Sequence, residues 1–418
     1  MLLRDGNMKA LIFGAGRQAE GIAWYLANHS DFDEIGILSR SPGPIDEIID
    51  FIGSDKLNKH VVDVLDEEKT QKVMTEYDVG INALPTRQTS YKTIELAIDV
   101  GLDMIDILEE YHRRPDAYEM EDLELPEGMD VEDYGEYLHE EYKKKGIMLL
   151  DGIGFAPGLT NITLGEGLRD MDESKTAIAR CGGVPNEESR DRHPLKYMIT
   201  WAFDHVLREY NIKSAALKDG KKIELDALSL HEKFKFDKFG KDVELECAVT
   251  PGMPSFVYTR SELENTYEKT VRWPGHYDTI KEFRQCGMLD IEPVEVNGCE
   301  VVPREVLLKV ITPKLKPKEG DRDACVMWNT AEGKIDGKKA RIDYYMWDDE
   351  DVENGLTAMQ RTTCFPPAIS AEMMAKGELK GEGIVAPEDC IKGSIYEKMI
   401  QRLEDVGVKI LKETEFLE

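Results

Sequence analysis

The apolar run KALIF, the link GAG and the helical stretch RQAEGIAWYLANH set Gly14, Gly16 and Ala19 in a G-x-G-x-x-A spacing at a strand-to-helix turn. No other feature restricts the fold as tightly. Gly14 permits the tight turn, Gly16 lets the backbone approach a pyrophosphate, and the small Ala19 lets helix pack on strand. Ile22, Ala23, Leu26 and Ala27 then recur at near-helical spacing. A helix start of this kind offers free N–H groups and the positive end of its dipole to phosphates. We expect Gly14, Ala15, Gly16, Arg17, Gln18 and Ala19 to hold a dinucleotide; a turn that serves only the fold is the alternative.

The second strand, EIGILSR, ends in Ser39 and Arg40. A carboxylate there would take both ribose hydroxyls of NAD, whereas a hydroxyl beside a guanidinium suits a 2′-phosphate. We therefore expect NADP in preference to NAD; the alternative is an ordinary exposed arginine in an enzyme that accepts either. Downstream, KHVVDV, DVGINAL and LDMIDI read as strands, alternating with the helical stretches DEEKTQKVMTEY and SYKTIELAIDVG. Such alternation predicts an α/β fold with a doubly wound parallel sheet. Ligands of these sheets bind at the carboxyl ends of the strands, so Leu84, Pro85 and Thr86, after the strand INAL, are expected near the nicotinamide ribose.

The chain has 418 residues, 41% of them hydrophobic, which suits two domains better than one. No apolar run approaches membrane-span length, and MLLRDGNMKALIFGAG lacks a signal-peptide cleavage pattern, so a cytoplasmic protein with no membrane partner is expected. The seven cysteines are scattered without a C-x-x-C pair and read as reduced thiols, with no metal site expected. Asp and Glu number 83 against 53 Lys and Arg, a formal net charge of -30, which disfavours a nucleic-acid partner. The stretch from Tyr111 to Lys145 is strongly acidic and reads as solvated helix and loop, with a partner surface as the alternative.

From residue 154 onward the motifs become specific. GFAPGLTN (Gly154 to Asn161), CGGVP (Cys181 to Pro185), PLKYMITWAFDHVL, VRWPGHYDTIKEF, VNGCEVVPREVLLKVITPKL and LTAMQRTTCFPPAISAEMMAKGEL follow in that order. With the N-terminal fingerprint, they resemble the saccharopine dehydrogenase family over most of the chain. The resemblance implies a Rossmann domain (1–155), an inserted mixed α/β substrate and dimerisation domain (156–355), and a C-terminal segment (356–418) returning to the cofactor domain. It also implies NAD(P)-linked chemistry at a carbon–nitrogen bond of a small amino-acid substrate, and a homodimer or homotetramer. Two branches compete. VNGCEVVPREVLLKV and LTAMQRTT resemble the lysine 6-dehydrogenases, whereas CGGVP and PLKYMITW resemble the saccharopine reductases. Ala156 stands where the saccharopine reductases usually carry Asp, and Gly152, after Asp151, stands where many relatives carry a carboxylate.

Hydride leaves an amine-bearing carbon only when the nitrogen is neutral, and the imine then takes up water, so a base of near-neutral pKa is useful twice. His276, in the WPGH turn, and Cys181 are the catalytic candidates; a backbone-bonded structural histidine and a small buried filler are the alternatives. Arg304 and Arg361 could clamp a carboxylate and Tyr197 and Trp201 could wall an aliphatic chain, while structural ion pairs would equally explain both arginines. Asp204 could hold an amine or sit on a helix surface. These readings converge on an NADP-preferring dehydrogenase of the ε-nitrogen of lysine or a lysine conjugate. A glutamate-forming saccharopine dehydrogenase, a carboxynorspermidine or other polyamine-conjugate enzyme, and a cofactor-binding regulatory protein without turnover remain open.

Overall fold

The computed structural model describes residues 7–115 and 123–418; residues 116–122 of the acidic stretch lie outside the described residues. Contacts divide the chain into two units, Met1–Ile162 with Gln360–Gly407, and Thr163–Met359 with Val408–Glu418. In the first unit β1 (Lys9–Phe13), α1 (Arg17–His29), β2 (Glu34–Ser39), α2 (Pro42–Ile52), β3 (Leu57–Val61), α3 (Glu67–Met74), β4 (Val79–Asn82), α4 (Arg87–Val100) and β5 (Asp103–Asp106) alternate as expected. After them come α5 (Val131–Lys145), β6 (Met148–Asp151) and α6 (Leu159–Arg169), within which the division falls.

In the second unit lie β7 (Glu173–Pro185), α7 (Phe203–Glu209), β8 (Ser214–Lys218), β9 (Lys221–Leu225), β10 (Glu232–Phe236), β11 (Val243–Val249), α8 (Phe256–Thr259), β12 (Asn265–Arg272) and α9 (His276–Gln285). The hairpin β13 (Val294–Val296) and β14 (Cys299–Val301), α10 (Pro303–Leu315), β15 (Asp323–Ile335) and β16 (Lys338–Asp349) complete its core. The chain then forms α11 (Ala358–Ala375), β17 (Gly383–Val385), α12 (Pro387–Cys390), α13 (Ser394–Asp405) and β18 (Leu411–Phe416).

Among the described residues, the first sheet runs β17-β6-β5-β4-β1-β2-β3, all parallel. The strand order reverses between β1 and β4, which makes their carboxyl ends the switch point where such sheets bind ligands. Strands β1 and β4 are almost wholly buried, which explains why they read as continuous apolar runs without alternation. The second sheet is mixed, in the order β10-β11-β12-β7-β15-β16-β18, with β8 on β12 and β9 on β8. Strands β12 and β7 are its parallel pair, with Thr270 beside Cys181.

Two expectations need correction. Residues 356–418 do not return as one block: Gln360–Gly407 belongs to the first unit, but β18 pairs antiparallel with β16, from Ala340 opposite Phe416 to Tyr345 opposite Leu411. An exposed strand there satisfies the open hydrogen-bonding edge of β16. Nor is the acidic stretch solvated throughout. Tyr111 and His112 are buried, and α5 turns Tyr134, Leu138 and Tyr142 into the core while its carboxylates face outward. No helix among the described residues is long and apolar enough to cross a membrane.

Candidate functional site

At the switch point, Gly14 has φ +110°, and a Cβ on it would stand 2.9 Å from the carbonyl oxygen of Ala83 at the end of β4. Only glycine satisfies both demands. Gly16 is the N-cap of α1 with no side-chain cap, and the space around it is open. The first-turn N–H groups of Arg17, Gln18 and Ala19 therefore keep the arrangement that suits a pyrophosphate, and buried Ala19 keeps α1 close to the sheet. Contacts within the unit brace the turn: Gln360 Nε2 donates to the Arg17 carbonyl at 3.0 Å, and Cys364 Sγ to Gln18 Oε1 at 2.8 Å. Ala15 sits half-buried between the two glycines.

Ser39 ends β2, the neighbour of β1, and Arg40 beyond it is exposed and makes no hydrogen bond or ion pair among the described residues. Leu84, Pro85 and Thr86 follow β4 on the other side; Leu84 N–H donates to Asn82 Oδ1, and Thr86 caps α4. The fold thus gathers Gly14 to Ala19, Ser39 and Arg40, and Leu84 to Thr86 along three adjacent strand ends. These residues fit an NADP molecule, with Arg40 available for a 2′-phosphate.

A second cluster on the same edge escaped the sequence reading. His112 is wholly buried; its ring Nδ1 lies 2.6 Å from Asp151 Oδ1, and its backbone N–H donates to Asp151 Oδ2 at 2.7 Å. On the ring's other side, Nε2 is 3.1 Å from Ser90 Oγ, which donates to Asp106 Oδ2, an atom also bonded by Asn82. Burial alone would push the imidazole down, but the carboxylates of Asp151 and Asp106 outweigh it and hold His112 up to about 9. Burial raises Asp151 as well, so the pair keeps its proton through neutral pH. Beside it, Arg87 and Glu110 form a buried ion pair at 2.8 Å, with Tyr91 donating to the same carboxylate. The network ties the carboxyl ends of β4, β5 and β6 together. Its one sequence signal was a histidine inside an acidic stretch.

In the second unit, Cys181 is buried and donates to Glu268 Oε1 at 3.4 Å, while Thr250 donates to Glu268 Oε2 at 2.7 Å. Burial, reinforced by the charge of Glu209, pushes Glu268 up to about 8 against the pull of Thr250. Glu268 and Arg272 flank Thr270 at two-residue spacing on β12, so all three share a sheet face with Cys181.

His276 does not project into a cleft. It is 1% exposed, and both ring nitrogens are engaged, Nδ1 with the Leu195 carbonyl and Nε2 with Tyr210 Oη, each at 3.0 Å. The Leu195 carbonyl can only accept, so the proton of the neutral ring sits on Nδ1 and Nε2 accepts from Tyr210 Oη, which itself accepts from Arg272 Nε. Burial, then the charge of Arg272, lowers this imidazole to about 3, so it is neutral at working pH and unavailable as a base. The turn that was expected to expose it instead starts α9 with the ring packed inward against Tyr197.

Tyr197 is buried in an apolar cluster with residues of α7, α9 and α10, Trp201 packs half-buried against it, and Asp204 is exposed on α7. Arg361 is buried in the first unit, where it donates to the Val406 carbonyl at 3.1 Å and lies over the Phe365 ring. Arg304 is half-buried in the first turn of α10, with its backbone N–H bonded to the Asp290 carbonyl.

Residues 10–150 match the family model described as the saccharopine dehydrogenase NADP binding domain, and residues 154–408 match the saccharopine dehydrogenase C-terminal domain. The chain is 24% identical over 402 residues to carboxyaminopropylagmatine dehydrogenase of a Synechocystis species, covering 91% of this chain and 92% of that one. It is 22% identical over 467 residues to the NADP-linked, L-glutamate-forming saccharopine dehydrogenase of Saccharomyces cerevisiae, covering 96% and 98%. A solved structure of the L-Glu-forming saccharopine dehydrogenase from S. cerevisiae shares the fold, with a TM-score of 0.76 at 19% identity over 98% of this chain and 100% of that one.

Proposed function

This chain belongs to the saccharopine dehydrogenase family and is an NADP-dependent oxidoreductase of CH–NH donors; from that premise we propose that its donor is a secondary amine joining an amino-acid portion to an amine portion. The observation that carries this reading is the match of residues 10–150 and 154–408 to the two family models, together with a phosphate turn whose geometry is intact. The relatives described above are named for secondary amines, a carboxyaminopropyl conjugate of agmatine and saccharopine.

NADP, when bound, supplies the hydride acceptor. The protein's own contribution starts with the first-turn N–H groups of α1, which hold the pyrophosphate, and with Ser39 and Arg40, which hold the 2′-phosphate. Leu84, Pro85 and Thr86 support the nicotinamide end, and the His112 network keeps the strand ends beneath it in register. The amine must lose a proton before hydride can leave, and Glu268, titrating near pH 8 with Cys181 beside it, is matched to that task where neutral His276 is not.

Free lysine is the second reading, favoured by Ala156 at the strand-helix turn and by a net charge of -30, which attracts a cationic donor. Incubation with NADP and lysine, saccharopine or a carboxyaminopropyl conjugate of agmatine, followed by product analysis, separates the readings. Release of glutamate or agmatine supports the secondary amine, release of ammonia from lysine supports the second reading, and no turnover with any donor overturns both.

A further inference from the structure

Buried arginines ordinarily have an anion beside them, because an uncompensated interior charge is costly. Arg87 has Glu110. Arg272, 3% exposed, has no carboxylate within ion-pair distance among the described residues. Its Nε donates to Tyr210 at 3.0 Å and its Nη1 to the Val271 and Gly183 carbonyls at 2.9 and 3.4 Å, leaving Nη2 without a protein acceptor among those residues.

The nearby carboxylates on this sheet face are engaged elsewhere. Glu268 takes Thr250 and Cys181, and Glu246, cross-strand from Arg272, takes the Tyr277 N–H and pairs with His231. Two further donors are idle beside Arg272: the hydroxyls of Tyr197 and Thr200 are buried without any hydrogen-bond partner. The guanidinium lies 5.1 Å from the centre of the Tyr197 ring, and a Cβ on Gly183 would stand 3.3 Å from Thr200 Oγ1 and run into Met359. A Cβ on Gly182 would stand 3.0 Å from Arg272 Nη1. The paired glycines therefore let strand β7 come close to Arg272 and Thr200, and the Tyr210–His276–Leu195 chain holds the guanidinium in place.

We infer that Arg272 Nη2, Tyr197 Oη and Thr200 Oγ1 form an anion site that takes a carboxylate of the donor substrate. The inference rests on the proposed oxidation of an amino-acid-derived amine, and it supplies a carboxylate anchor for that donor. The guanidinium can only donate and each hydroxyl is free to donate, so the three suit an oxyanion, while the positive charge of Arg272 disfavours an ammonium.

Glutarate serves as the probe, with inorganic phosphate and 1,5-diaminopentane as the other arms, in calorimetric titrations of the full chain and of Tyr197→Phe, Thr200→Val and Arg272→Gln. Glutarate should bind the unmodified protein at millimolar concentration or below. Its affinity should fall about ten- to a hundredfold in Arg272→Gln, a charged-donor loss, and several-fold in the other two. If Arg272→Gln does not fold, the two hydroxyl variants decide, because removing a hydroxyl that bonds to nothing costs the fold little. Unchanged glutarate affinity in both, no glutarate binding at all, or binding of phosphate or diaminopentane in its place overturns the inference. A parallel NADP titration separates the two ideas: loss of NADP binding with glutarate binding intact would defeat the proposed function and leave the anion site standing.

Discussion

The cofactor edge of the first unit and the polar sheet face of the second are assembled over very different sequence distances. The first is made of Gly14 to Ala19, Ser39 and Arg40, and Leu84 to Thr86, each a short stretch at the end of one strand. The second takes Cys181 from β7, Tyr197 and Thr200 from the turns that follow, Thr250 from beyond β11, Glu268 and Arg272 from β12, and His276 from α9. A dinucleotide is held largely by backbone groups, so a local spacing of small residues is enough to announce it. A substrate is held by side chains whose neighbours depend on strand register. Thr270 lies beside Cys181 only because β12 and β7 run parallel across some ninety residues of sequence.

The largest effect expected is on the non-local face. Glu268→Gln keeps size and hydrogen bonding but removes the titrating group, and turnover should fall about a hundred- to ten-thousandfold with NADP affinity unchanged. Loss of a rate inflection near pH 8 should accompany it. A variant with normal turnover would return Glu268 to a structural role. On the local edge, Gly14→Val combines backbone strain of about 1–3 kcal/mol with a collision at the Ala83 carbonyl. NADP affinity, followed by cofactor fluorescence, should drop by about a hundredfold or more. Arg40→Ala should weaken NADP about ten- to a hundredfold and spare NAD, since it removes one charge-assisted contact; equal affinities for the two cofactors in the unmodified protein would contradict it.

His276→Asn sharpens the contrast from the other side. It breaks bonds to Tyr210 and Leu195 and should cost about 1–3 kcal/mol of stability in denaturant titrations, with the pH dependence of the rate unmoved. A pH profile that shifts would restore the histidine as a base. The smallest effect concerns His112. Its value, about 9, lies above the ordinary 6.5, so the stability its charge contributes is full below about pH 6.5 and is lost as pH rises through 9. The thermal midpoint of the unmodified protein should fall by about a few degrees over that window, and His112→Gln should flatten the decline.

What was legible follows the same division. The strand alternation, the fingerprint and the strand-end pair Ser39 and Arg40 could be read because each is written in contiguous residues. His112 could not, since its partners Ser90, Asp106 and Asp151 come from three separate elements and its own flank reads as acidic surface. His276 was recognised as notable, but its neutrality depends on burial and on Arg272, neither of which the WPGH turn reveals. Arg272 lies in the VRWPGH stretch and was passed over for Arg304 and Arg361, because nothing in the chain order shows which arginine lacks a carboxylate. The family resemblance places residues 356–418, β18 included, on the cofactor domain, whereas the open edge of β16 decides the strand's place.

Hydride transfer from a carbon bound to nitrogen is the step on which the function rests, and isotope transfer observes it directly. The protein is incubated with NADP and each of the three donors, lysine, saccharopine and the agmatine conjugate, labelled with deuterium on the carbon whose bond to nitrogen is oxidised, and the nicotinamide product is analysed by mass spectrometry. Reduced NADP carrying the deuteron, formed from a secondary-amine donor in preference to lysine, is the expected result. Unlabelled reduced cofactor, or no reduction with any of the three while NADP binds, would contradict it.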